Sequence, residues 1–214
     1  MAPREQPEVA VSTPRIGVLA LQGAFREHIQ ALTRLGAEAV PLRSPNELAG
    51  LDGVVLPGGE STTMDKLLRQ FDLQQPLRRQ LRAGLPAMAT CAGVILLANE
   101  VRDGLPNQES LHLLPIAVRR NAYGRQPESF ESDIELQGFD HPFRGVFIRS
   151  PVVERVDDSV EVLGTVDDRP VAIRSGRILG LTFHPELTGD DRLHRLFLDD
   201  VEEAGAARDT EETG

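Results

Sequence analysis

The only cysteine of the 214-residue chain, Cys91, stands between two apolar runs, Pro86-Ala87-Met88-Ala89-Thr90 and Ala92-Gly93-Val94-Ile95-Leu96-Leu97. A strand that passes directly into a helix predicts a sharp elbow whose side chain projects above the carboxyl edge of a sheet. Backbone at such an elbow is strained, so its neighbours must be small. Ala89, Ala92 and Gly93 meet that demand. The helix that starts after Cys91 offers unpaired N–H groups and the positive end of its dipole, which favour a thiolate and can hold a developing oxyanion. The same position also suits an inert, buried thiol, the commoner state of a free cysteine.

A thiol nucleophile needs an imidazole to take and return its proton, and the imidazole needs an acceptor on its other nitrogen. The chain has five histidines. His184 ends the apolar run 178–183 and is followed by Pro185 and Glu186. A spacing of two puts His and Glu on one side of an extended backbone, and the proline stiffens the link. Taken alone, His-Pro-Glu also reads as a solvated strand end. Topology favours the chemical reading, because open α/β sheets gather ligands at the carboxyl ends of their strands, where Cys91 and His184 are both expected. His28 on the polar side of the first helix, His194 in the last, His141 beside Pro142 and His112 near a strand start are expected to be surface or loop residues.

A third feature is the turn Pro57-Gly58-Gly59-Glu60-Ser61-Thr62-Thr63 between a strand and a helix. It lacks the lysine of a phosphate-binding P-loop, and the glycines from 17 to 23 do not form a dinucleotide fingerprint. A plain turn and an oxyanion donor opposite Cys91 both fit. Glycine would serve the second by letting a peptide N–H approach a substrate unobstructed.

The elements that must carry these residues follow from hydrophobic periodicity. Apolar runs at 16–21, 39–42, 53–56 and 86–90 predict strands. Stretches 64–71, 75–83 and 92–101 predict helices, as does a stripe of Phe25, Ile29, Leu32 and Leu35 stopped by Gly36. This alternation predicts an α/β fold with a mostly parallel central sheet and flanking helices. After about residue 111 short strands dominate (113–119, 145–149, 160–166, 170–174 and 177–183), with Ser175-Gly176 as a hairpin turn. They predict an antiparallel C-terminal extension, closed by a helix over 190–201. Polar, proline-bearing residues 1–14 and the acidic stretch 205–214 read as disordered extensions of one domain spanning 15–204.

Composition bounds the function. The sequence is 40% hydrophobic and 26% charged, enough for one substantial core. Net charge is −10, but residues 199–214 alone hold seven acids and one arginine, so the body is close to −4. That is no footprint for nucleic acid or an anionic membrane. No apolar run approaches the ~20 residues a bilayer needs, and one unpaired cysteine suits a reducing, cytoplasmic setting. No convincing metal-ligand cluster stands out. Of 23 basic residues only Lys66 is a lysine, so imine chemistry has a single candidate.

Read together, these motifs resemble class I, triad-type glutamine amidotransferases, and more narrowly the glutaminase-subunit family of pyridoxal phosphate synthase (PdxT/SNO). The resemblance rests on 17–23, Leu56-Pro57-Gly58-Gly59-Glu60-Ser61-Thr62-Thr63, Thr90-Cys91-Ala92-Gly93, Arg120-Asn121-Ala122-Tyr123-Gly124-Arg125-Gln126, Gly145-Val146-Phe147-Ile148-Arg149 and Phe183-His184-Pro185-Glu186-Leu187. It spans about 15–204. Cys-x-Gly with His-Pro-Glu marks the superfamily only; the Gly-Gly-Glu-Ser-Thr-Thr turn and the segment from Arg120 are more specific. Ala89 stands where the family usually shows glycine. The resemblance implies a flavodoxin-like fold and hydrolysis of L-glutamine to glutamate and ammonia without a cofactor. It implies Cys91 as nucleophile, His184 as proton carrier, Glu186 as its orienting group, and the N–H groups of Gly59 and Ala92 as oxyanion hole. Gly59, Glu60, Ser61, Arg120, Ile148 and Arg149 would bind glutamine, the arginines serving either its α-carboxylate or the order of the pocket. It also implies a separate synthase subunit that receives the ammonia in a hetero-oligomer, with surface near His28 and 119–126 as plausible docking points. A catalytically silent regulatory subunit would not need all three triad members, and a redox or chaperone-like cysteine protein would need neither Glu186 nor the glycine turn.

Overall fold

The computed structural model describes residues 13–105, 107–120 and 129–212. The central sheet has seven strands. In chain order they are β1 (Arg15–Leu19), β2 (Glu38–Leu42), β3 (Gly53–Leu56), β4 (Ala87–Thr90), and, later, β10 (Glu161–Val166), β11 (Arg169–Ser175) and β12 (Ile178–Leu181). Their spatial order is β10-β11-β12-β4-β3-β1-β2. The five from β12 to β2 run parallel, and β10 and β11 add an antiparallel edge. The expected parallel sheet with an antiparallel extension is therefore present, with the 2-1-3-4 start of flavodoxin-like sheets.

Period-2 alternation in the parallel strands separates two apolar layers. Leu19, Val54, Leu56, Ala87 and Ala89 face one core, while Ile16, Val18, Val55 and Met88 face the other. The first core is covered by α2 (Ser61–Gln70), α3 (Gln74–Arg82) and α4 (Ala92–Leu97). The second is covered by α1 (Phe25–Arg34) and α5 (Arg192–Glu212). Two smaller sheets flank this body: β5 (Ala98–Arg102), β6 (Leu114–Arg119) and β9 (Val152–Val156), and the hairpin of β7 (Ser129–Ile134) with β8 (Phe143–Ile148).

Three expectations need correction. The helix expected over 92–101 stops at Leu97, and 98–102 form β5, paired in parallel with β6. Pairing and the ion pairs of Arg102 with Glu100 and Glu154 take precedence over local helix preference there. Strands β7 and β9, only six and five residues long, were not expected. Helix α5 runs on to Glu212, through most of the stretch expected to be disordered, because extending a helix already nucleated on the core is cheaper than starting one. The N-terminal extension, but for residues 13 and 14, and the segment 121–126 lie outside the described residues. Among the described residues no helix is long and apolar enough to cross a membrane.

Candidate active site

Cys91 sits on the elbow expected of it. It follows β4 and caps α4, with φ 46° and ψ −104°, a left-handed conformation that a side chain rarely adopts and that is retained only where the surroundings enforce it. Two constraints enforce it here. The Cys91 N–H donates to the Leu181 carbonyl across to β12 at 2.8 Å. Gly93 lies so close to β3 that a Cβ there would fall 2.1 Å from the Leu56 carbonyl oxygen. Only glycine lets α4 start this near the sheet.

The register of β12 on β4 pairs Leu181 with Thr90, so both strands end on one edge and His184 emerges beside Cys91. The His184 N–H donates to Val146 of β8 at 2.8 Å. Phe183 packs against Phe143 and Phe147 at ring separations of 5.8 and 5.5 Å, which fastens the β7–β8 hairpin over the strand end. That hairpin brings the Ile148 carbonyl oxygen to 3.9 Å from the Cys91 Sγ.

The three expected groups lie together. Cys91 and His184 both abut Gly58, and His184 Nδ1 lies 2.7 Å from Glu186 Oε1. All three are nearly buried, at 5, 7 and 8% exposure, and a low-dielectric setting strengthens each contact. Glu186 reaches the ring from a 3₁₀ turn over Pro185–Leu187 rather than from the extended backbone the spacing suggested. Burial alone would lower the His184 pKa. The neighbouring Cys91 and the Glu186 carboxylate outweigh it and push the ring up to about 10. Burial would likewise raise the Glu186 carboxyl, but the facing His28 and His184 hold it below the usual range.

The glycine turn closes the site from the β3 side. Gly58 touches both partners: a Cβ there would fall 2.2 Å from His184 Cε1 and 3.3 Å from the Cys91 Cβ. The loop after β1 grips the turn, Ala24 N–H donating to the Gly58 carbonyl at 3.1 Å and Gln22 Oε1 accepting from the Glu60 N–H at 2.8 Å. Glu60 caps α2 through the N–H groups of Thr62 and Thr63. Its carboxyl would be raised by burial, but the bonds from Thr63 and Thr62 hold it down. Arg120, expected to bind substrate or organise the pocket, pairs with Glu60 at 3.1 Å and donates to Thr62 Oγ1 at 2.9 Å. Ser61 is buried and accepts from Gln108 at 3.1 Å. Ile148 and Arg149 end β8 on the exposed rim, Arg149 with a positive φ of 45°. Ala92 opens α4, where the first N–H groups lie outside the helical ladder.

Two histidines are not where the sequence reading put them. His28 and His194 are wholly buried, not on the surface, so His28 cannot itself be a docking point. Each belongs to the inward stripe of its helix: His28 lies four before Leu32, and His194 lies three before Phe197 and four before Leu198. That spacing was the available signal. Gln22 and Gln108 were also missed, since no local pattern marks a side chain that serves a distant turn. His112 and His141 are exposed, as expected.

With this geometry in place, comparison with known proteins gives a single answer. The model of the SNO glutamine amidotransferase family matches residues 18–203. The chain belongs to that family. Its relatives include proteins named "Pyridoxal 5'-phosphate synthase subunit PdxT" from Parafrankia sp. (strain EAN1pec), 58% identical over 89% of this chain and 95% of that one, and from Nocardia farcinica (strain IFM 10152), 54% identical over 95% and 93%. A crystal structure of a glutamine amidotransferase superposes with TM-score 0.82 at 50% identity, covering 87% of this chain and 98% of that one. A putative GMP synthase subunit from Thermoplasma acidophilum, at 15% identity and TM-score 0.65 over 94% and 98%, shares the fold. The SNO family match spans β1 through most of α5 and so includes every residue of the site.

Proposed function

We propose that this family member is the glutaminase subunit of a pyridoxal phosphate synthase, hydrolysing L-glutamine to glutamate and ammonia for a separate synthase subunit. The observation that carries the reading is the meeting of Cys91 and His184 against Gly58 at the carboxyl edge of the sheet, with Glu186 2.7 Å behind the imidazole.

The steps follow from those groups. The Cys91 sulfur attacks the side-chain amide carbon of glutamine, and the tetrahedral oxyanion is held by the N–H groups of Gly59 and Ala92. His184 passes its proton to the departing nitrogen, so that ammonia leaves and a glutamyl thioester remains on Cys91. His184, now neutral, takes a proton from water, whose oxygen attacks the thioester and releases glutamate. Glu186 holds the ring in the tautomer this needs and offsets its charge.

Gly59, Glu60, Ser61, Ile148 and Arg149 bind the glutamine. Arg120 contributes by ordering the turn, since its guanidinium is already engaged by Glu60 and Thr62. Ammonia passes to the synthase subunit, in a hetero-oligomer whose partner closes the mouth of the site. The one lysine, Lys66, is exposed on α2, which supports placing imine chemistry on the other chain. A cytoplasmic setting belongs to the same reading.

The test is glutamate release from glutamine with the synthase subunit present. Cys91→Ala is expected to lower it by ~10³-fold or more, the scale of losing a nucleophile that works as part of a unit. Unchanged hydrolysis by the variant complex overturns the assignment.

A further inference from the structure

The face of Glu186 turned away from His184 is closed by a second pair of imidazoles. His28 on α1 and His194 on α5 are wholly buried, with ring centres 5.2 Å apart. His28 Nδ1 lies 3.0 Å from His194 Nε2. On its other side His28 Nε2 lies 3.2 Å from Thr90 Oγ1 and 3.3 Å from Glu186 Oε2. Thr90 immediately precedes Cys91, so the ring touches both the strand that carries the sulfur and the carboxylate that serves His184.

Burial disfavours the charged form of both rings. Burial lowers His28, opposed by the charges of Glu186 and Glu27 and reinforced by His184. Burial and His28 lower His194 to about 3, against Glu186 and Asp191 and with Arg34. Two neutral rings sharing one contact have two proton arrangements. In the first, His194 Nε2–H donates to His28 Nδ1, and His28 Nε2–H faces Thr90 and the carboxylate. This leaves two acceptors without a hydrogen bond, His194 Nδ1 and Glu186 Oε2, the second met by His28 at ion-pair distance only. In the second, His28 Nδ1–H donates to His194, the His194 proton sits on a buried nitrogen with no acceptor, and a bare His28 lone pair confronts Glu186 Oε2. An unsatisfied buried donor and a lone pair against an anion both cost more than an idle acceptor.

We propose that His28 is a positioning residue for glutamine hydrolysis, its Nε2–H held by Thr90 so that it backs Glu186 Oε2 electrostatically, while His194 fixes the His28 tautomer that allows this. The brace does two things. It keeps Oε1 aimed at His184 Nδ1, and it helps keep the carboxylate ionised in a buried place. The kinetic consequence rests on the glutaminase reading; the proton arrangement does not.

Three chains, each assembled with the synthase subunit, separate the outcomes: wild type, His28→Leu and His28→Gln. In His28→Leu, kcat for glutamine is expected to fall about 10- to 100-fold, the range for removing the polar neighbour of a buried charged group. KM should stay within about twofold, and the acid limb of the kcat profile should move to higher pH as Glu186 becomes easier to protonate. His28→Gln, whose amide nitrogen can stand in for Nε2–H, is expected to recover most of the rate and return the acid limb. A role in stability alone would lower the melting temperature without moving the limb. A folded His28→Leu with wild-type kcat and an unmoved limb overturns the proposal.

Should His28→Leu fail to fold, nitrogen NMR of the histidine-labelled wild-type chain decides. His28 is expected to show a protonated Nε2 and an unprotonated Nδ1 at neutral pH. The opposite tautomer, or a doubly protonated ring, overturns the proposal whether or not the chain hydrolyses glutamine. Absence of hydrolysis in the wild-type complex with the expected tautomer present would instead overturn the glutaminase reading alone.

Discussion

Glu186 lies between two imidazoles, 2.7 Å from His184 and 3.3 Å from His28, and its charge matters more than its shape. Glu186→Gln keeps a hydrogen-bonding side chain but removes the anion, so steady-state assays should show kcat reduced ~10²-fold or more with little change in KM. The histidines around it give the folded state opposite pH slopes. His184 is raised from about 6.5 to about 10, so its contribution to stability is complete below pH 6.5 and is lost as pH rises through about 10. Urea melts of wild type and His184→Gln should therefore converge over that window. His194 is lowered to about 3, so between pH 6.5 and 3 the unfolded chain takes a proton the folded chain refuses, and stability falls as the medium is acidified. His194→Phe, if it packs, should flatten that acid slope. At this scale the sequence revealed groups that act locally, since Cys91 is marked by small neighbours and Glu186 by its distance of two from His184. It concealed His28 and His194 because a histidine was read as polar, when its helical spacing already put it on the buried stripe.

Elements make the site by ending together. Strands β3, β4 and β12 stop on one edge, and each is followed at once by functional backbone: the glycine turn, the elbow and the His-Pro-Glu turn. Close packing between those connections makes two glycines specific. Gly58→Ala would place a methyl group 2.2 Å from His184 Cε1, so the ring must swing away from Cys91. The expected result is a folded chain with kcat lowered ~10²-fold or more, checked by circular dichroism beside the assay. Gly93→Ala would meet the rigid Leu56 carbonyl at 2.1 Å, and thermal melts should show a loss of ~1–3 kcal/mol or failure to fold. Strands buried on both faces were legible as continuous apolar runs, and β3 begins and ends where its run does. Strand β7 was not, because a half-exposed strand rich in Ser, Glu and Asp takes its order from its partner, and β9 was missed although three of its five residues are valine. The same competition cut α4 short at Leu97.

Across the whole molecule, two cores on either face of a parallel sheet hold one edge rigid, and the site occupies that edge. Past the buried Ala204, α5 carries the exposed pair Arg208–Asp52 at 3.5 Å, so Arg208→Ala should cost below ~1 kcal/mol in urea melts and leave hydrolysis unchanged. The fold class was legible from the alternation of elements, whereas the meeting of His184 with Cys91 depends on strand order, which a one-dimensional pattern does not carry. The central claim is that the sulfur brought to that edge becomes covalently acylated by substrate. It is tested most directly by rapid acid quench of the complex turning over labelled glutamine, followed by mass spectrometry of the Cys91 peptide. A glutamyl thioester on Cys91, absent in Cys91→Ala, is the predicted result; an unmodified Cys91 at every quench time from a complex that is releasing glutamate, with no adduct accumulating when the His184→Ala variant is used to slow the second step, would contradict it.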